Sequence, residues 1–82
     1  MWRIVVDPKV DRSASRFPRH DRERIFEAIH QMAENPLAGD VKKLGAGEYR
    51  RRVGSYRIFF DLSRNEGVVF DSRVERRTST TY

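Results

Sequence analysis

Lys43-Leu44-Gly45-Ala46-Gly47-Glu48-Tyr49-Arg50-Arg51-Arg52-Val53-Gly54-Ser55-Tyr56-Arg57 is the stretch that decides how this chain folds. Gly54-Ser55, glycine first, stands between two runs of strand-forming residues, which is the pattern of a two-residue type II′ hairpin. The spacing predicts one strand over residues 48–53 and its return partner over 56–62. Side chains alternate between the two sides of a strand. Tyr49 and Val53 therefore share one side, and Arg50 and Arg52 the other. On the return strand Ile58, Phe60 and Leu62 form the natural core set. Arg57, Phe59 and Asp61 then face the same way as Arg50 and Arg52. Arg51 falls on the core side, where its stem can lie along apolar surface while its head reaches the edge.

Arginines gathered this way repel one another, and a sheet gains nothing from them unless something anionic lies opposite. A fixed array of planar cations suits phosphate or a carboxylate-rich partner. The plainer alternative is a solvated outer face, with Asp61 pairing with Arg57.

Outward from the hairpin, Trp2 to Val6 is rich in β-branched and aromatic residues and reads as a strand. Asp7-Pro8 opens a new element. Val10, Ala14 and Phe17 line one face of a short helix, which Pro18 ends. A second helix is expected from about Asp21, a suitable N-cap, with Ile25, Ile29 and Met32 in one apolar row. Asn35-Pro36 closes it. Residues 36–47 read as a loop carrying Lys42 and Lys43, which either contact nucleic-acid backbone or are solvated. Arg64 to Gly67 turns the chain into a last strand, Val68 to about Val74. A polar tail runs to Tyr82. The expected fold class is α+β, in the order strand–helix–helix–strand–strand–strand. An αα-hairpin packs on one face of a mainly antiparallel four-stranded sheet, and residues 1–82 form a single domain.

The 82 residues carry a net charge of +5, and most of the 17 basic residues are arginine. That balance fits a nucleic-acid or acidic-protein partner. With no cysteine there is neither a disulfide staple nor a cysteine-based zinc site. No apolar run approaches the roughly 20 residues a membrane span needs. Met1 to Asp7 is too short and too charged for a signal peptide. His20 and His30 both fall in or beside the second helix as surface residues, so any chemistry on the arginine side is dominated by cations, with no metal and no cofactor called for.

The string from Lys43-Leu44 to Tyr56-Arg57, followed by Ile58-Phe59-Phe60, resembles the RelE/ParE superfamily of bacterial toxins from type II toxin–antitoxin systems. The element order over nearly the whole chain is similar to that superfamily's. RelE-like members enter the ribosomal A site and cut mRNA; ParE-like members share the fold and poison DNA gyrase. The tail resembles the RelE-like branch, because Arg76 and Tyr82 stand at that branch's spacing. The resemblance implies a toxin that is a ribosome-dependent mRNA endoribonuclease, with Arg57, Arg76 and Tyr82 catalytic. Arg50, Arg52, Lys43 and Arg77 would bind RNA, and Arg77 could take the place of Arg76. It also implies a cytoplasmic protein that meets the ribosome and mRNA and forms a hetero-oligomer with a cognate acidic antitoxin. A ParE-like gyrase inhibitor and a decayed, non-catalytic toxin are the alternatives. The chain departs from the pattern at Thr81, where many relatives have histidine, and at Arg51, where an apolar residue is usual.

Overall fold

The computed structural model describes residues 1–77. Strand β1 (Arg3–Val6) leads into helices α1 (Pro8–Ala14) and α2 (Arg19–Gln31). Strands β2 (Asp40–Gly45), β3 (Glu48–Val53), β4 (Tyr56–Ser63) and β5 (Val68–Arg76) follow. The sheet runs in the order β1-β5-β4-β3-β2. Only β1 and β5 pair in parallel; the other neighbours are antiparallel.

The helices start and stop for local reasons. The Asp7 carboxylate accepts from the Lys9 backbone N–H at 2.8 Å, and Pro8 fills the first turn, where no backbone donor is missed. Helix α2 begins two residues earlier than Asp21, behind Pro18, which supplies no side-chain cap. Asp21 lies instead in the first turn and accepts a hydrogen bond from the Tyr56 hydroxyl at 2.8 Å.

Both helices lie on one face of the sheet. Val10, Ile25, Ile29 and Met32 meet Ile58, Phe60, Val69 and Val74 in one buried cluster. Tyr49 stacks on Phe60 with centroids 5.6 Å apart, and Phe17 tilts against Tyr56 at 4.5 Å. Arg51 points to the same side and donates to the Ala28 carbonyl at 3.3 Å and to Gln31 Oε1 at 3.0 Å. Its charged head thus ties β3 to α2 while its stem covers apolar surface. At the β3–β4 turn Gly54 has φ +57°, as a type II′ first position requires.

Two features depart from the sequence expectation. The stretch expected as a loop contains β2, so the sheet has five strands rather than four. Strand β2 is an edge strand, and its Lys42-Lys43 pair is the charge that such edges carry against unwanted pairing. The second departure is a bulge in β5. Phe59 pairs with Arg73 and Phe60 with Asp71, which leaves Ser72 as the extra residue. The Ser72 hydroxyl donates to the Phe59 carbonyl at 3.1 Å and secures the kink. An inserted residue swaps the faces of everything that follows it. Val69 and Asp71 precede the bulge on the helix side, and Val74 follows it on that same side.

Candidate functional site

The face of the sheet away from the helices carries two cross-strand rows. Register places Lys42, Arg50, Phe59 and Arg73 side by side on β2, β3, β4 and β5. One pleat along, Asp40, Arg52, Arg57 and Glu75 form the second row. The arginines fall there because Tyr49, Val53, Ile58 and Phe60, on the alternate positions of the same strands, pack toward the core. Their Nε atoms make the point energetically: those of Arg50, Arg52 and Arg57 are buried and have no partner among the described residues. Guanidinium stems are thus pressed into the sheet surface while their heads face outward.

Acidic side chains meet this charge only at its margins. Arg52 lies 4.0 Å from Asp40, and Arg57 lies 3.8 Å from Glu75. Glu75 also accepts from Arg73 Nε at 3.1 Å. Arg57 therefore pairs with Glu75 and not with Asp61, the partner expected from the sequence. The Arg73 guanidinium carbon sits 3.9 Å from the centroid of Phe59, a cation–π stack.

The expected site residues divide between the two faces. Arg50, Arg52 and Arg57 share the open face. Lys43 does not join them: it pairs with Tyr49 and takes the helix side, while Lys42 occupies the open face beside Arg50. Arg76 also stands apart. It pairs with Tyr56 and holds its guanidinium 5.9 Å from that ring, in a concavity lined by Asp21, Arg24 and Val53. The bulge at Ser72 is the reason, since without it Arg76 would fall on the side of Arg57. Arg77 follows the end of β5, and its backbone N–H donates to the Ser55 carbonyl. Tyr82 lies outside the described residues.

Arg73, Phe59 and Glu75 were not singled out as functional by the sequence reading. The cause lies in the fold, which buries positions of β5 that simple alternation does not pair. The buried positions Val69, Asp71 and Val74 cannot all satisfy a period of two, and that mismatch marks a bulge. His20 and His30 are exposed on α2. Among the described residues no cluster of metal-ligating side chains occurs, and no helix is long and apolar enough to cross a membrane.

Two titratable groups on the helix side are displaced from their ordinary behaviour. The Tyr56 phenol is raised by burial first and by its hydrogen bond to Asp21 second, against a lowering by Arg76. Asp71 is fully buried, and neither carboxylate oxygen has a hydrogen-bond partner among the described residues. Burial alone pushes its pKa up to about 7.

One helix-covered face and one cationic face, built in this element order, describe a small α+β domain. Residues 7–79 match the family model described as ParE toxin of type II toxin-antitoxin system, parDE. The chain belongs to that family and is a toxin of a type II toxin–antitoxin system.

Solved structures agree on the fold. The RelE–RelB complex of Pyrococcus horikoshii aligns with TM-score 0.87 and 23% identity, covering 96% of this chain and 98% of its own. The RelB–RelE complex of Methanococcus jannaschii gives TM-score 0.74 and 26% identity over 89% and 90% of the two chains. A YoeB/ParE toxin from Agrobacterium tumefaciens gives 0.74 and 18% over 93% and 99%. No curated protein sequence matches the chain.

Proposed function

We propose that this toxin is a ribosome-dependent mRNA endoribonuclease whose substrate lies across the open sheet face. One observation carries the reading: Arg52 and Arg57 face each other directly in the β3–β4 register. Like charges so placed cost stability, which points to an anionic ligand as their purpose. The reaction has the ribose 2′-oxygen attack the adjacent phosphorus while the bond from phosphorus to the 5′-oxygen breaks. A 2′,3′-cyclic phosphate and a 5′-hydroxyl result. The proton lost from the 2′-hydroxyl goes to a base, and the departing 5′-oxygen takes one up.

Cations are needed where charge develops on the phosphoryl oxygens. Arg57 supplies one, and Arg77 is assigned the role of tail arginine in preference to Arg76. Arg50, Arg52 and Lys42 hold the neighbouring backbone. Tyr82 is assigned as proton acceptor or stacking platform. Neighbouring guanidinium groups favour its phenolate. A site of cations and a phenol is weak by itself, so the ribosome's orientation of the message supplies much of the rate. On this reading the protein acts in the cytoplasm, where the ribosome and the message are.

The archaeal relatives are complexes with RelB. By analogy, an acidic antitoxin segment would lie over the same arginines and block them, in a hetero-oligomer. The match to ParE toxins favours a second reading, inhibition of DNA gyrase without nuclease activity. Expression of the toxin without antitoxin separates the two. The ribonuclease predicts growth arrest with broken mRNA, lost in Arg57→Ala and on removal of Tyr82. DNA breaks with intact mRNA would reject it.

A further inference from the structure

Beside the arginine rows the open face holds a concavity of about 210 Å³, lined by Leu44, Glu48, Phe59, Asp61, Ser72 and Arg73. We infer that this is a nucleobase pocket that takes a base presenting amino donors, guanine foremost, and rejects uracil. The inference rests on the ribonuclease reading for the identity of the polymer, and on the pocket's own chemistry for the base.

Three features build the pocket. Its floor is the Phe59–Arg73 stack, in which the guanidinium carbon lies 3.9 Å from the ring centroid. Glu75 holds Arg73 there through Nε at 3.1 Å, so that plane is oriented before any ligand arrives. Half of the Arg73 side chain remains exposed, and its outer face is a flat, delocalised surface on which a base can stack. Leu44, 48% exposed, gives an apolar wall.

The third feature sets the choice of base. Glu48 and Asp61 stand directly opposite one another in the β3–β4 ladder. Neither carboxylate has an ion pair among the described residues, although arginines crowd the adjoining rows. Ionised carboxylates only accept hydrogen bonds. Guanine presents two adjacent donors, N1–H and the N2 amino group, which match the two oxygens of one carboxylate. Adenine and cytosine present an amino group beside an acceptor. Uracil flanks its single N–H with two carbonyl oxygens, which a carboxylate repels. Arg57 lies two residues from Phe59 along the same face, about 7 Å away. A single nucleotide can span that gap, with its base on Arg73 and its phosphate on Arg57.

The test is a titration of the isotope-labelled full-length protein with GMP, AMP, CMP and UMP, followed by NMR, with inorganic phosphate as a control. The pocket predicts that GMP binds roughly tenfold more tightly than UMP, the scale of one bidentate base contact. It also predicts shifts at Phe59, Asp61 and Arg73 that phosphate alone does not cause. Asp61→Asn should level the four nucleotides, and Arg73→Ala should weaken them all; both positions are exposed, and retained spectral dispersion reports an intact fold. Equal affinity for GMP and UMP, or shifts confined to Arg50, Arg52 and Arg57, would overturn the inference. Because no ribosome is present, the result stands apart from whether the toxin cuts mRNA.

Discussion

Arg52 and Arg57 oppose each other across the β3–β4 ladder, each with one acidic neighbour among the described residues, Asp40 at 4.0 Å and Glu75 at 3.8 Å. A hairpin under selection for stability alone would place opposite charges, or an apolar pair, at that register. The arrangement therefore separates stability from function, and the two can be measured apart.

Arg52→Ser is expected to leave thermal stability unchanged or to raise it, by up to about 1 kcal/mol, because a like-charge contact is removed. The same variant should bind single-stranded RNA more weakly, with a salt dependence shallower by about one phosphate contact. Melting curves and RNA titrations at several salt concentrations check both halves.

Arg76 packs over Tyr56 on the helix side, while Arg77 follows it just past the end of β5 and is the arginine assigned to the site. Arg77→Ala should remove toxicity while leaving the fold intact. Arg76→Ala should preserve toxicity and lower the melting temperature slightly, since Arg76 packs over Tyr56. Growth assays on the two variants, paired with melts, decide it; toxicity lost in Arg76→Ala alone would reverse the assignment.

Asp71 makes stability depend on pH in an unusual direction. Its folded pKa of about 7 lies above the unfolded value of 3.8, so the folded chain holds a proton that the unfolded chain releases. The contribution is fully present below the unfolded value. It declines as pH rises through the interval and is lost above about 7, at a total cost on the order of 4 kcal/mol. Asp71→Asn should flatten the stability profile between pH 4 and 7 and raise stability at pH 8. Denaturant melts across that range provide the check.

The Tyr56 hydroxyl donates to the Asp21 carboxylate at 2.8 Å, joining β4 to the first turn of α2. Removing it in Tyr56→Phe should cost about 1.5–3 kcal/mol, as expected for a hydrogen bond to a charged acceptor. Toxicity should survive, because the bond lies on the helix side. A chemical melt and a growth assay together test the separation.

Much of this was legible in the sequence, for physical reasons that can be named. The Gly54-Ser55 turn fixed the register of β3 on β4, and period-two alternation then placed Arg50, Arg52 and Arg57 together. Strand β2 was hidden because edge strands carry lysines and follow proline and glycine, the same composition as a loop. Arg73 was passed over, and the side taken by Arg76 was not foreseen, for a different cause. Alternation holds only while the ladder is regular, and the inserted Ser72 shifts every later side chain by one face. The Ser72 hydroxyl that secures the bulge bonds to a carbonyl on the neighbouring strand, a contact that no local pattern announces. Glu75 illustrates the same limit, since its partners Arg57 and Arg73 become neighbours only through the shifted register.

The central claim is that Arg57 and its neighbours act on the phosphates of a message held by the ribosome. Primer extension on a defined mRNA in a translating extract tests it most directly. The account predicts breaks within the codon at the ribosomal A site with the unaltered toxin, none with Arg57→Ala, and none when ribosomes are omitted. An uncut message under the unaltered toxin, or identical breaks with Arg57→Ala, would contradict it.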